Sequence, residues 1–246
     1  MIDTDGAGAG AGGGKHPRWA AIAFGMAFPT LLTLAYFVAL ADQPRRLMQA
    51  VYAAGKIVQF SFPALLAWQV SGTFPMPSRP GARGVTIGLL FGLGAFAGVV
   101  ALHRAVLVPS GVVGAGVAAA VRAKVAGFGG GSAAGYLAMG AFYSLLHSAA
   151  EEYYWRWFVF GELRRALKAG RAVALSSVAF AAHHVLILGV FFGWASPWTY
   201  ALALAVAGGG AFWAWLYHRS GSLLGPWLGH LLVDAAIFAV GYDLAF

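Results

Sequence analysis

The chain has 246 residues, of which 60% are hydrophobic and only 10% are charged. Soluble domains carry about 25% charged residues, so this composition excludes an ordinary soluble protein and predicts a polytopic membrane protein. The absence of cysteine excludes disulfides, thiolate metal ligands and a cysteine nucleophile. The formal net charge of +8 comes from residues spread over the predicted loops, a pattern that suits membrane orientation better than nucleic-acid binding.

The N-terminal half contains a low-complexity segment and several apolar ones. Residues 1–14 are Gly/Ala-rich and predict a disordered tail. Three segments long enough to span a membrane follow, at about 19–40, 48–70 and 85–108. Lys56 lies in the second of these, and we expect its ammonium to reach the lipid headgroups. Residues 109–131 predict either a short interfacial helix or a further, weak span.

The C-terminal half predicts four more spans. The fourth lies at about 132–150 and continues as a helix through an acidic motif to about Leu167, with Gly170 as its end. The last three lie at about 172–192, 198–217 and 223–244. The predicted fold class is therefore all-α, a transmembrane helix bundle of about seven to eight spans. We divide the chain into the tail, N-terminal spans at 15–131 and a core at 132–246.

The acidic motif reads Glu151-Glu152-Tyr153-Tyr154-Trp155-Arg156 and ends a long apolar run. Charged side chains at bilayer depth cost roughly 2.5–3.5 kcal/mol on insertion scales, so they are rare without a use. Glu152 and Arg156 are four residues apart and share a helix face in the favourable acid-first order. We interpret this pair as a support for Glu151, and His147, one turn earlier, as a packing partner.

Two further polar groups lie in the later spans. Phe180 and His184 are one turn apart in the fifth span, and His230 and Asp234 are one turn apart in the last. Polar side chains inside spans seldom face lipid. If the three helices converge, these groups form one polar cavity within the bundle.

The ordered set Glu-Glu-x-x-x-Arg, Phe-x-x-x-His and His-x-x-x-Asp resembles the CPBP family, the Abi or CAAX prenyl protease-like group of intramembrane glutamic endopeptidases. The resemblance covers about residue 132 to the C-terminus, so it implies that the core at 132–246 is catalytic and that the polar cavity is an active site. The residues it implies are Glu151, Glu152, His184, His230 and Asp234 as the catalytic set, with Arg156 and Phe180 in support. Asp234 stands where the prenyl-protease branch typically has asparagine. His183 is an extra neighbour that we expect to pack or to support.

Peptide hydrolysis requires an activated water and stabilisation of an oxyanion. Because the chain has no cysteine and no evident serine nucleophile motif, water is the expected attacker, with Glu151 as its general base. His184 is expected to position this water or to pass a proton to the leaving amine. His230 and Asp234 would face the developing negative charge. An ionised aspartate only accepts hydrogen bonds, so Asp234 is expected either to be protonated or to orient His230.

Two other interpretations are open at this point. A metal-dependent version would place zinc between Glu151, His184 and His230, ligand types that zinc accepts, although we favour a site without a cofactor. A non-catalytic immunity factor, scaffold or transporter can also carry a polar cluster. The expected partners are the lipid bilayer and a membrane-anchored protein or peptide substrate, with no nucleic acid. The Gly/Ala-rich composition predicts a bacterial inner-membrane protein.

Overall fold

The computed structural model describes residues 18–71 and 78–246, and the predicted tail at 1–14 lies outside them. These residues form eight helices and no strand, which confirms the all-α fold class. In chain order the helices are α1 (Trp19–Ala39), α2 (Arg45–Ser71), α3 (Ala82–Leu107), α4 (Ala115–Gly127), α5 (residues 133–166), α6 (Ala169–Phe192), α7 (Pro197–Ser220) and α8 (Leu224–Ala245).

Six helices are long and apolar enough to cross a membrane, namely α1, α2, α3, α6, α7 and α8. The protein is therefore an integral membrane protein. Helix α4 has 13 residues, fewer than the roughly 20 that a crossing needs, so the structure favours the short helix over the weak span for this region. Helix α5 is not among the six, and the count of seven to eight spans stays a prediction.

Helix α5 carries the acidic motif and is not a uniform α-helix. A π-helical turn at Tyr143–His147 precedes Ser148–Glu152, and a second π-helical segment follows at Tyr153–Phe160. Single π-turns inside α-helices occur frequently at functional sites, because they change the direction in which side chains point. The acidic pair therefore lies on a short α-helical turn between two irregular segments.

This helix ends within one residue of the predicted Leu167, but the prediction that Gly170 ends it is wrong. Helix α5 ends at Ala166, because Leu167 leaves the helical region with φ −129° and ψ 156°. Lys168 is also extended and precedes the first residue of α6, so Gly170 lies in the first turn of that helix. The guanidinium of Arg164 donates to the Leu167 carbonyl and so satisfies part of the polar backbone at this break.

Helices α3 and α8 lie in direct backbone contact because both have glycine where they meet. A Cβ on Gly88 would lie 2.0 Å from the carbonyl oxygen of Gly225, and a Cβ on Gly225 would lie 2.4 Å from that of Gly84. Small residues spaced four apart allow membrane helices to approach this closely. The contact fixes the part of α8 that leads to His230.

Helices α6 and α7 form an antiparallel pair through a tight turn. Gly193 has a φ of 89°, which favours glycine, and the Thr199 hydroxyl donates to its carbonyl oxygen at 2.8 Å. The Ser196 hydroxyl accepts from the backbone N–H of Trp198 at 3.3 Å and caps α7. This turn joins the helices predicted as the fifth and sixth spans.

The main hydrophobic core surrounds the acidic segment of α5. Its buried members from α5 and α6 include Tyr154, Trp155, Phe158, Phe160 and Phe180. Helix α1 packs on the same segment, where the Tyr154 hydroxyl donates to the carbonyl oxygen of Gly25 at 2.9 Å. The glutamates are therefore inside the bundle, with helices on several sides.

Candidate active site

The two glutamates of α5 are both buried, with 6% of Glu151 and 0% of Glu152 exposed. Consecutive helical residues point about 100° apart, so the two carboxylates have different surroundings. Glu152 faces Arg156 and α8, whereas Glu151 faces a group of imidazoles. A buried charge is costly unless it is paired and hydrogen-bonded, and both carboxylates have such neighbours.

Glu152 lies at the centre of a polar network between α5 and α8. Its Oε1 accepts a hydrogen bond from Nδ1 of His230 at 2.7 Å. The same oxygen lies 3.0 Å from a terminal nitrogen of Arg156, one turn along the helix. Charge-assisted hydrogen bonds of this length are the strong ones in proteins. The ion pair that the sequence predicts on one helix face is therefore present, and it also reaches His230.

Aromatic rings hold the Arg156 guanidinium in place. Its Cζ lies 4.7 Å from the ring centroid of Phe180 and 5.0 Å from that of Trp213. These distances suit cation–π attraction, which is stronger when the cation is desolvated, and Arg156 is only 2% exposed. Phe180, predicted as a supporting residue, thus contacts the ion pair directly.

His230 connects three carboxylates. Its ring stacks on Trp213 with 4.3 Å between centroids and 17° between planes. Because Nδ1 donates to Glu152, the other nitrogen is turned toward Glu151 and Asp234. Nε2 lies 3.8 Å from Oε2 of Glu151 and 3.7 Å from Oδ1 of Asp234. The structure therefore brings together Glu151, Glu152, His230 and Asp234.

Glu151 has imidazoles on several sides, and the nearest of them lies at a long hydrogen-bond distance. Its Oε1 lies 3.4 Å from Nε2 of His147 and 4.0 Å from Nε2 of His183. N–H···O hydrogen bonds usually measure 2.7–3.2 Å, so these distances are long. Groups that can give or take a proton therefore surround the carboxylate, and its oxygens can still accept hydrogen bonds.

The two histidines of α6 have different environments. The His184 ring donates from Nδ1 to the Phe180 carbonyl oxygen at 3.0 Å, which leaves Nε2 without its proton in the neutral form. In the described part of the chain, no carboxylate oxygen lies within 4.0 Å of His184. His183 is the residue of this pair that approaches Glu151, and its ring also lies parallel to that of Trp155. The ring centroids of His183 and His184 are 4.1 Å apart.

Sequence reasoning missed one neighbour of Glu151, one nearby cation and one ring of the site. The sequence interpretation makes His147 a packing residue, although its spacing of four from Glu151 on one helix is a usable signal. Lys56, expected at the headgroups, has its Nζ near the rings of Tyr52 and Phe60. Trp213 stacks on His230, and it gave no signal because its partners belong to other helices.

The donor set was tested for a metal site. In residues 18–71 and 78–246, no three histidine, aspartate or glutamate side chains are arranged so that they could hold one metal ion. His184, one of the three ligands in the metal-dependent interpretation, donates from Nδ1 to the backbone and would offer Nε2 to a metal, but it belongs to no three-ligand group in the described residues. The residues present do not fit that arrangement, and no chemical step below uses a metal.

The fold and the site define a polytopic helical membrane protein with carboxylates and imidazoles clustered inside its bundle. Residues 133–236 match the family model described as Type II CAAX prenyl endopeptidase Rce1-like. This match confirms the resemblance to the CPBP family of CAAX prenyl protease-like enzymes, and it extends from the start of α5 past Asp234. It supports intramembrane endopeptidase activity in general. No curated protein and no solved structure matches the chain.

Proposed function

We propose that this protein is an intramembrane endopeptidase in which Glu151 activates water to hydrolyse a peptide bond of a membrane-associated protein or peptide. The observation that carries the proposal is the position of Glu151, a buried carboxylate between His147, His183 and His230 at 3.4–4.0 Å. A carboxylate with free accepting capacity beside several imidazoles suits proton transfer from water and onward to a leaving group.

The proposed reaction begins when Glu151 takes a proton from water and the hydroxide oxygen attacks the substrate carbonyl carbon. The carbonyl oxygen becomes an oxyanion, and His230 donates to it from Nε2 in the imidazolium form, in which both ring nitrogens carry a proton. The C–N bond then breaks, and the proton that Glu151 took from water passes to the leaving amine through Nε2 of His184, which returns to its neutral form. In this scheme Asp234 either donates to the oxyanion while protonated or orients His230.

Glu152 and Arg156 support the reaction through His230. Glu152 holds Nδ1 of His230 and thereby directs Nε2 toward Glu151. Arg156 balances the charge of Glu152, and Phe180 and Trp213 bracket the guanidinium. Glu152 is thus assigned to the catalytic set as the residue that fixes the imidazole.

The proposed setting is the inner membrane of a bacterium. Prenylated proteins are unusual substrates there, so we favour peptide maturation, processing of surface proteins or an immunity-type role. A site without a cofactor is proposed because the side chains present do not form a three-ligand group in the described chain. If activity is lost to a chelator and restored by zinc, the metal-free assignment is wrong.

The test compares wild type with Glu151→Gln in liposomes, using quenched fluorescent peptides with and without a prenyl group. The matched control is Glu162→Gln, since Glu162 is a buried carboxylate on the same helix that pairs with Arg18 instead of the cluster. General-base catalysis contributes roughly 10²–10⁴-fold, so Glu151→Gln is expected to lose at least about a hundredfold, and the control far less. Equal cleavage by wild type and Glu151→Gln contradicts the proposal and favours a non-catalytic membrane protein.

A further inference from the structure

Lys56 lies deep in a helix that the structure assigns as a membrane span. It is about 16 Å along the axis of α2 from Arg45, at 1.5 Å per residue, in a helix of 27 residues. A lysine at bilayer depth is costly, and such residues almost always face protein or a cavity. The side chain is half-buried against the bundle. This position differs from the expected reach to the headgroups.

The contacts of Lys56 lead to the site. Its Nζ lies 5.9 Å from the ring centroid of Tyr52 and 5.3 Å from that of Phe60. The Phe60 ring packs edge-on against His147 with centroids 5.8 Å apart. His147 in turn lies 3.4 Å from Glu151. The ammonium is therefore separated from Glu151 by one layer of side chains.

The charge of Lys56 has no close anionic partner. In the described residues no carboxylate oxygen lies within 4.0 Å of its Nζ, and Glu151 lies beyond the rings of Phe60 and His147. Glu152 already has Arg156 and His230 as partners. Glu151 has imidazoles near it, whose charge changes near neutral pH, and Lys56 as a further cation.

We propose that Lys56 is a positioning residue of this site: its ammonium is the counter-charge that keeps Glu151 in the carboxylate form inside the apolar bundle. This proposal rests on the proposed function in one respect: a general base must be ionised, so Glu151 needs a nearby positive charge. The ammonium attracts the Glu151 carboxylate across the side chain of His147. Lys56 itself contacts no reacting atom.

Several other groups face Glu151 or act on its charge, and any pH response must be assigned against them. They are Tyr36 on α1; Tyr52 on α2; Tyr143, His147, Glu152 and Arg156 on α5; His183 and His184 on α6; and His230 and Asp234 on α8. The test therefore reads the ionisation of Glu151 itself.

The experiment measures the infrared absorption of the protonated Glu151 carboxyl against pH, assigned by its absence in Glu151→Gln, with the protein in lipid nanodiscs. Lys56→Met is expected to move the midpoint of protonation upward by about one pH unit or more, as expected for loss of a nearby opposite charge. Lys56→Arg is expected to stay near wild type. Lys124→Met is the matched control, because Lys124 is a lysine of another helix, α4, whose ammonium lies over the Phe37 ring at 3.8 Å.

Each outcome decides between a counter-charge and a structural role. An unchanged midpoint in Lys56→Met overturns the proposal, even if activity falls. If Lys56→Met does not fold, Lys56→Gln keeps a polar group without charge and must show the same upward shift. Because the infrared reading needs no substrate, a shifted midpoint in a protein that cleaves no peptide would leave the counter-charge standing and refute the peptidase. In an active protein, the acidic limb of kcat/KM is expected to move with the midpoint.

Discussion

The Nδ1 atom of His230 donates to Oε1 of Glu152 at 2.7 Å, which joins the last helix of the chain to the acidic motif 78 residues earlier. The bond also fixes which nitrogen of His230 faces Glu151, since an imidazole whose Nδ1 carries the proton presents Nε2 on its opposite side. Glu152 is therefore the residue that sets the orientation of the imidazole. Changing it should disturb the site while Glu151 is intact.

The first prediction concerns Glu152→Gln. The amide still accepts from His230, but the charge is lost and Arg156 stays buried without its counter-ion. A hydrogen bond to a charged group contributes about 1.5–3 kcal/mol, so kcat/KM is expected to fall roughly 10- to 100-fold. Thermal unfolding in detergent should show a clear loss of stability, because an unpaired buried charge is costly. Activity and stability equal to wild type would show that the network does not position His230.

The second prediction separates the two roles considered for Asp234. Asp234→Asn keeps a hydrogen-bond donor and is expected to retain activity, whereas Asp234→Ala is expected to lose it. The side chain lies 3.7 Å from Nε2 of His230, so both variants change the same contact, and only asparagine keeps a side chain that can donate there. The measurement is the initial rate of peptide cleavage for both variants. An asparagine variant as inactive as Glu151→Gln would rule out the donor role.

The third prediction concerns the neighbouring histidines of α6. His184→Ala is expected to lower kcat by roughly 10²–10⁴-fold, because its free Nε2 is assigned to proton transfer. His183→Ala should cost less, about tenfold, because that ring lies parallel to Trp155 and acts on Glu151 from 4.0 Å. Single-turnover rates of both variants make the comparison. The opposite order would assign the proton transfer to His183.

The fourth prediction tests the contact that positions α8. Gly88→Ala places a Cβ where the Gly225 carbonyl oxygen lies, so α3 and α8 must move apart. Overpacking of this kind typically costs about 1–3 kcal/mol, and the displacement of His230 should also lower activity. Gly94→Ala on the same helix is the control, because no heavy atom lies within 4 Å of its added Cβ. The unfolding temperatures of the two variants should differ, and similar values would exclude a tight glycine contact.

Arg156→Lys extends the first prediction to the other half of the ion pair. Lysine keeps the charge but lacks the planar guanidinium that lies against Phe180 and Trp213. The variant is expected to lose activity by about tenfold or more in the same peptide assay. Full activity would show that charge alone, without the aromatic contacts, is enough at this position.

The sequence alone determined the all-α membrane fold, most of the spans and the resemblance to the CAAX prenyl protease-like family, because apolar length and one-turn spacing are local properties of a chain. The pairing of Glu152 with Arg156 was predictable for the same reason, since both residues lie on one turn of α5. In the sequence, only the spacing of their glycines indicated that α3 and α8 approach closely.

Only the tertiary structure decided which groups surround Glu151. Which face of α2 turns inward depends on its neighbours, so the sequence did not predict that Lys56 lies near the rings of Tyr52 and Phe60. Likewise, the rotation of α6 places His183 nearer to Glu151 than its motif suggested. Helix α5 ends at Ala166 because residues 167–168 are extended, and no glycine stops it there. The period of a helix fixes the relative directions of side chains within that helix. It does not fix how one helix is rotated against another, so contacts between helices far apart in sequence are decided by packing.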